Sequence, residues 1–117
     1  IYIYKPNQLL ITLESEDLSF FGESKMSEIY HSLFEHKLEV NLVQNSAVNC
    51  SICIDNDPHK TSTLIEEFAK KFKVKYNENL ELLTVRHYQA KLLEELLLNK
   101  DLIIEQKTRS TLKLLFK

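Results

Sequence analysis

Apolar residues stand at every second position at Leu38, Val40 and Leu42, and again, after Gln44, Asn45 and Ser46, at Val48, Cys50, Ile52 and Ile54. Period two on both sides of a polar break predicts two strands, each with one buried face. The break carries amides and a hydroxyl at Gln44, Asn45, Ser46 and, beyond Ala47 and Val48, Asn49. Such groups can hydrogen-bond a small polar ligand or simply make a turn. Upstream, residues 1–4 alternate and are β-rich, and Pro6-Asn7 is expected to end them as a short strand. Residues 8–15 follow as a second, largely buried strand. The loop 16–22 holds the only glycine of the chain, Gly22, for which a backbone role is expected. Ser24 is a candidate N-cap, and Met26, Ile29, Tyr30, Leu33 and Phe34 recur at helical spacing as one apolar stripe down to about Lys37.

Beyond the central strands, Asp55-Asn56-Asp57-Pro58 is a turn signal. A second helix is expected from Ser62 or Thr63, with Thr63 and Glu66 as a capping box and Leu64, Ile65, Phe68, Ala69 and Phe72 on its buried face. Val74 and Tyr76 alternate with Lys73 and Lys75 as a short edge strand. The order β, α, β, β, α, β is the split βαβ arrangement, a four-stranded antiparallel sheet with two helices on one face. The pattern then restarts: a strand at 80–85, a helix at 89–98 and two strands at 102–105 and 112–116. This second set is one strand and one helix short, and residues 1–4 can supply the strand. The expected fold class is therefore α+β, two ferredoxin-like βαββαβ domains with the first (8–78) inserted into the second (1–7 plus 79–117).

Composition narrows the function classes. With 117 residues, 44% of them hydrophobic, the chain can bury one modest core or two very small ones sharing a sheet. Fifteen basic against 17 acidic residues leave a net charge of -2, which offers nothing to attract nucleic acid or an anionic membrane. No apolar run is long enough to span a bilayer, and the start IYIY lacks the charged region of a signal peptide. A cytoplasmic location is expected, and the start at Ile1 rather than Met predicts a part of a longer protein. Cys50 and Cys53 form a CxxC, but residues an odd number apart on a strand point to opposite faces, so these thiols share neither a metal nor a disulfide. His31 and His36 are five apart, off the spacing a helical metal pair needs. No metal site is expected.

Three separated blocks resemble a known family. They are IYIYKPNQLLITLES, VNLVQNSAVNCSICID, and LELLTVRHY leading to IEQKTRSTLKLLF. Together they are similar to the C-terminal regulatory region of aspartate kinases, built of two ACT domains of which the second is interrupted by the first. The middle block resembles the family pattern VDLxxxSxVSxSxxxD, with Asn41 where Asp is usual and Ser46 and Val48 matching SxV. The resemblance implies that the parent enzyme phosphorylates the side-chain carboxylate of aspartate with ATP, opening the route to lysine, threonine and methionine. It implies too that this region binds an end-product amino acid, inhibits the kinase domain of the same chain, and forms a homodimer through its first domain. The implied effector site is the loop Leu18, Gly22, Ser24, Lys25 and Met26 with the strand and turn Val40, Asn41, Gln44, Asn45, Ser46 and Ala47. Glu23-Ser24-Lys25-Met26 replaces the usual Gly-Phe-Leu-Ala entry to the helix. No Gly-rich phosphate cradle or carboxylate set for Mg is present in the sequence. ATP and Mg are therefore expected only in the kinase domain, and this chain by itself should carry no catalytic residue, cofactor or kinase activity.

Two rivals fall on chemistry. An RNA-binding domain of this strand order needs aromatics on its central strands, and here they carry aliphatics. An acylphosphatase-like hydrolase needs an arginine in the loop after the first strand to grip phosphate, and the two arginines are Arg86 and Arg109. The remaining alternative is a ligandless dimerisation module with a solvated polar turn.

Overall fold

The structure, a computed structural model, describes residues 2–17, 21–87, 94–95 and 97–117. Its elements run β1 (Tyr2–Ser15), α1 (Glu23–Glu35), β2 (Val40–Asn45), β3 (Asn49–Asp55), α2 (Pro58–Ala69), β4 (Phe72–Arg86), β5 (Leu102–Lys107) and β6 (Thr111–Phe116). The helix expected at 89–98 lies largely outside the described residues. No helix among those described is long and apolar enough to cross a membrane. The chain divides into two compact units, a first of Leu9–Glu78 and a second of Ile1–Gln8 with Asn79–Lys117.

The first unit has the ferredoxin-like strand order β2-β3-β1-β4. Its core comes from one face of each strand and one stripe of each helix. Leu9, Ile11 and Leu13 alternate along β1 and Cys50, Ile52 and Ile54 along β3, meeting Ile29 and Leu33 of α1 and Leu64 and Phe68 of α2. Leu10 and Cys53, on the opposite parity, are also buried. Burial of both faces explains why QLLITL is a nearly continuous apolar run rather than an alternating one.

In the second unit the order is β1-β4-β6-β5. Val85 lies opposite Leu112 and Leu83 opposite Leu114, and these four with Phe116 form its core.

Several element boundaries differ from the local reading. The strand at 1–4 does not stop at Pro6-Asn7, and the stretches at 73–76 and 80–85 are not separate; β1 and β4 run through. Each passes its unit boundary beside an asparagine in the left-handed region, Asn7 (φ 55) and Asn79 (φ 59). An asparagine tolerates that conformation, so a strand can deform there without ending. A β-branched residue cannot follow: Asn79→Val is expected to cost about 1–2 kcal/mol and Asn79→Gly almost nothing, measured by urea unfolding. Asn79 is exposed, so lost packing contributes little to either result.

Both helices begin elsewhere than expected. Gly22, not Ser24, is the N-cap of α1. In α2 the cap is Asp57, whose carboxylate accepts from the His59 N–H, with Pro58 in the first turn, so the turn signal at 55–58 is a helix start and Thr63 lies inside the helix. Pro is preorganised for that first position because its φ is already helical and its missing N–H is not needed. Tyr30 and Phe34, placed on the apolar stripe, are exposed, Ala69 is exposed too, and Phe72 opens β4. A helix crossing a four-stranded sheet buries only the narrower stripe at Ile29 and Leu33.

Glu67 ties the two helices together. Its carboxylate lies 2.7 Å from His36 Nε2 and accepts from Ser32 Oγ at 3.2 Å. The hydrogen bond from His36, outweighing desolvation, holds the Glu67 carboxyl below its ordinary range. A depressed folded-state value means the ionised form favours folding, so this contribution is present above the usual Glu range and disappears as the carboxylate protonates on acidification. Since the pair is partly solvated, Glu67→Gln is expected to cost under about 1 kcal/mol at neutral pH. Unfolding curves of the variant and parent should converge below the carboxylate range.

Candidate functional site

The end of the β1–α1 loop and the β2–β3 turn are held against each other. The Phe21 N–H donates to the Ala47 carbonyl at 2.7 Å, and the Ser15 N–H to the Val48 carbonyl at 3.4 Å. Phe21 is itself a core residue, 3% exposed, with its ring 5.5 Å from that of Phe72. Gly22 has an extended backbone (φ -92), so its use here is not a left-handed turn. Its carbonyl accepts the Met26 N–H and closes the first turn of α1. Glu23 follows, where the positive end of the helix dipole favours a carboxylate.

Of the loop residues singled out in the sequence, Ser24 is exposed, Met26 packs on the core and Leu18 lies outside the described residues. Lys25 donates to Ser15 Oγ at 2.8 Å and stands 5.2 Å from the centre of the Phe21 ring. In the turn, Gln44, Asn45, Ser46 and Ala47 are all exposed. Ser46 closes the hairpin, its N–H donating to the Asn49 carbonyl and its hydroxyl to Asn49 Oδ1.

The start of β2 is a different place. Val40 packs against the core of the first unit. Asn41 occupies a bulge, since Val40 pairs with Ile54 but Leu42 with Cys53. That irregularity breaks the simple alternation of 38, 40 and 42, and both Val40 and Val43 pack against the same core. Asn41 Nδ2 donates to Asp55 Oδ1 at 2.8 Å. Ser46 lies five positions beyond Asn41, about 16 Å at the usual rise. The structure thus joins Phe21, the neighbour of Gly22, to Ala47, and sets Val40 and Asn41 at the far end of β2. Asp55 and Phe21 were not singled out from the sequence, although Asp55 is the closing aspartate of the strand pattern.

The thiols offer no chemistry to this site. Cys50 and Cys53 are buried and form no disulfide, Cys50 within the first unit's core, where burial pushes its pKa up to about 11 and keeps it protonated. Among the described residues no group of three or more His, Cys, Asp or Glu is placed to hold a metal.

No family model matches the chain, and no curated protein matches it in sequence. Solved structures match it in fold. Against E. coli aspartokinase III in complex with lysine and aspartate, the TM-score is 0.74 at 20% identity over 97% of this chain and 28% of that one. Against the aspartate kinase of Clostridium acetobutylicum it is 0.81 at 13% identity, over 99% of this chain and 30% of that one. The regulatory subunit of aspartate kinase from Thermus thermophilus, in a ligand-free form, gives 0.69 at 7% identity over 98% of this chain and 85% of that one. The chain spans less than a third of the first two proteins and most of the third. Its fold is that of aspartokinase regulatory regions, with ferredoxin-like ACT domains.

Proposed function

We propose that the chain is the amino-acid-sensing regulatory region of an aspartate kinase. In this reading it binds an end-product amino acid, lysine or threonine, and so restrains ATP-dependent phosphorylation of aspartate by a kinase domain of the same parent chain. The observation that carries the proposal is the likeness of nearly the whole chain, 97%, to an aspartokinase described in complex with lysine and aspartate. ATP and Mg belong to the kinase domain in this reading, and the chain alone neither binds nucleotide nor transfers phosphate.

The effector site proposed is the junction of the β1–α1 loop with the β2–β3 turn, extended along β2 to Asn41. An α-carboxylate or α-ammonium suits the exposed amide side chain of Asn45 and the backbone of Ser46 and Ala47, whose carbonyls each carry two lone pairs. The roughly 16 Å from Ser46 to Asn41 exceeds the span of any single amino acid, so an effector whose side chain meets Asn41 is placed at that end of β2 rather than at the turn. Lysine is placed first as effector and threonine behind it. Asn41 lacks the charge that a cationic side chain prefers, but Asp55, bonded to it at 2.8 Å, supplies one. Dimerisation is proposed through the first unit, where β2 stands at the edge of the strand order and leaves one side of its backbone for a second copy.

The second reading is a dimerisation module without ligand, favoured by the internally closed turn, in which Ser46 spends its N–H and hydroxyl on Asn49. Calorimetric titration of the purified chain with L-lysine, L-threonine and L-methionine separates the two. Saturable binding of lysine or threonine supports sensing, and no binding of any of the three leaves only the module.

A further inference from the structure

The second unit carries a concave site of its own. Tyr2 and Tyr4 of β1, Glu81 and Leu83 of β4, Lys100 ahead of β5, and Phe116 of β6 line a cavity of about 340 Å³. That size falls within the roughly 300–1,000 Å³ of small-molecule sites. Tyr2 and Tyr4 are two apart on one strand and Glu81 and Leu83 two apart on another, so each pair shares a face. Phe116 lies opposite Glu81 in the ladder. Leu83 and Phe116 are buried and form the floor, while Tyr2 and Tyr4 stand half exposed as walls. Glu81 is the carboxylate among them: the Tyr4 hydroxyl donates to its Oε1, and Lys100 Nζ stands 3.6 Å from its Oε2. The same Nζ lies 5.8 Å from the centre of the Phe116 ring. The molecule's own ammonium thus sits where a ring face and a carboxylate together attract a cation. It is loosely held. A separation of 3.6 Å exceeds the roughly 2.7–2.9 Å of a charge-assisted hydrogen bond, and the Lys100 side chain is 42% exposed, so the pair contributes little.

We propose that this cavity binds an organic cation with a quaternary ammonium head, which takes the place of the Lys100 ammonium among the rings of Tyr2, Tyr4 and Phe116. The walls decide between kinds of cation. A primary ammonium brings three N–H donors, and the lining offers it one carboxylate that already accepts from Tyr4. On entering it would give up hydrogen bonds to water without replacing them, which is why Lys100 keeps its ammonium at the mouth. A quaternary ammonium has no N–H to satisfy. Its methyl groups pack on Leu83 and the ring faces, and its charge is answered by the ring quadrupoles and by Glu81. An uncharged guest of the same shape gains the packing and nothing from Glu81, and an anion meets Glu81 as a like charge. Lys100 swings into solvent as the ligand enters and no longer offsets the carboxylate. Only residues of the second unit take part, so the site stands or falls independently of the amino-acid effector.

Choline chloride is titrated into the ¹⁵N-labelled chain, with 3,3-dimethylbutan-1-ol, its uncharged analogue of the same shape, as the comparison. Expected are saturable amide shifts at Tyr2, Tyr4, Glu81, Leu83 and Phe116, and an upfield shift of the choline methyl protons from the ring faces. The alcohol should bind about tenfold more weakly, the size of a partly desolvated cation–π contact. Glu81→Gln should weaken choline and leave the alcohol unchanged, and Tyr2→Leu should weaken choline as well. Lys100→Met removes the competing ammonium and should strengthen choline by about threefold, the size of an exposed ion pair. A lysine that merely supports the fold would give no such gain. Equal binding of choline and the alcohol would overturn the proposal, as would choline binding left unchanged or weakened by Lys100→Met. Shifts confined to residues 9–78, or no saturable shift with choline, would overturn it too. Tyr2 and Lys100 are exposed, and a circular-dichroism melt confirms that their variants fold; if Glu81→Gln does not fold, the Lys100→Met result decides.

Discussion

Phe21→Ala is expected to destabilise the first unit by about 3–5 kcal/mol, the usual loss for truncating a buried phenylalanine. Three losses add here. The ring is 3% exposed and its removal leaves a cavity beside Phe72. Lys25 loses the face over which its ammonium stands. The loop end is then no longer packed down, and its backbone bond to Ala47, with the longer Ser15–Val48 bond, must hold the loop against the turn without the ring. Against a total stability of about 5–15 kcal/mol for a domain, such a change leaves little margin. Phe21→Leu, nearer in volume, should cost under about 1.5 kcal/mol. Guanidinium unfolding of the three proteins checks the order; a loss below that of the leucine variant would show that Phe21 is not a core anchor.

The second large effect concerns the effector. Asn41→Asp is expected to strengthen L-lysine binding relative to L-threonine by about tenfold, the difference between a hydrogen bond to a charged group and one between neutral groups. The surroundings of Asn41 add to it. Asn41 now donates to Asp55 at 2.8 Å, and the variant would set two carboxylates against each other with no proton between them. That repulsion raises the free energy of the ligand-free protein, and a lysine ammonium placed between the carboxylates relieves it. Threonine, with only a hydroxyl, relieves it less. Asp55→Asn should act in the opposite direction and lower lysine binding relative to threonine. Calorimetric affinities for both amino acids in the three proteins give the ratios directly. An unchanged ratio in Asn41→Asp would remove position 41 from the effector site.

Much of the fold was legible because strand burial repeats every two residues. Leu9, Ile11 and Leu13, and Cys50, Ile52 and Ile54, fall on one face wherever the strand is extended, and they are the core. The fold class followed from the order of such patterns. Helix ends were less legible. Asp57-Pro58 serves equally as a turn and as a cap with its first residue, and only the conformation of the residues after it, shaped by packing of Leu64 and Phe68, distinguishes them. Tyr30 and Phe34 had helical spacing yet stand exposed, since periodicity marks a face without saying how wide a stripe its neighbour covers.

By itself the sequence determined the period of most elements, the residues that face inward on β1 and β3, and the opposed directions of Cys50 and Cys53. These depend on backbone geometry over a few residues, which chirality and sterics impose everywhere alike. Tertiary structure decided what depends on distance through space. It brought Phe21 to Ala47 and Lys71 to Ser15, residues 26 and 56 positions apart in the chain. It also turned two Asn-bearing breaks, one of them with Pro6, into passages along continuous strands. At Asn7 and Asn79 the local cost of a left-handed residue is small enough for strand pairing on either side to outweigh it.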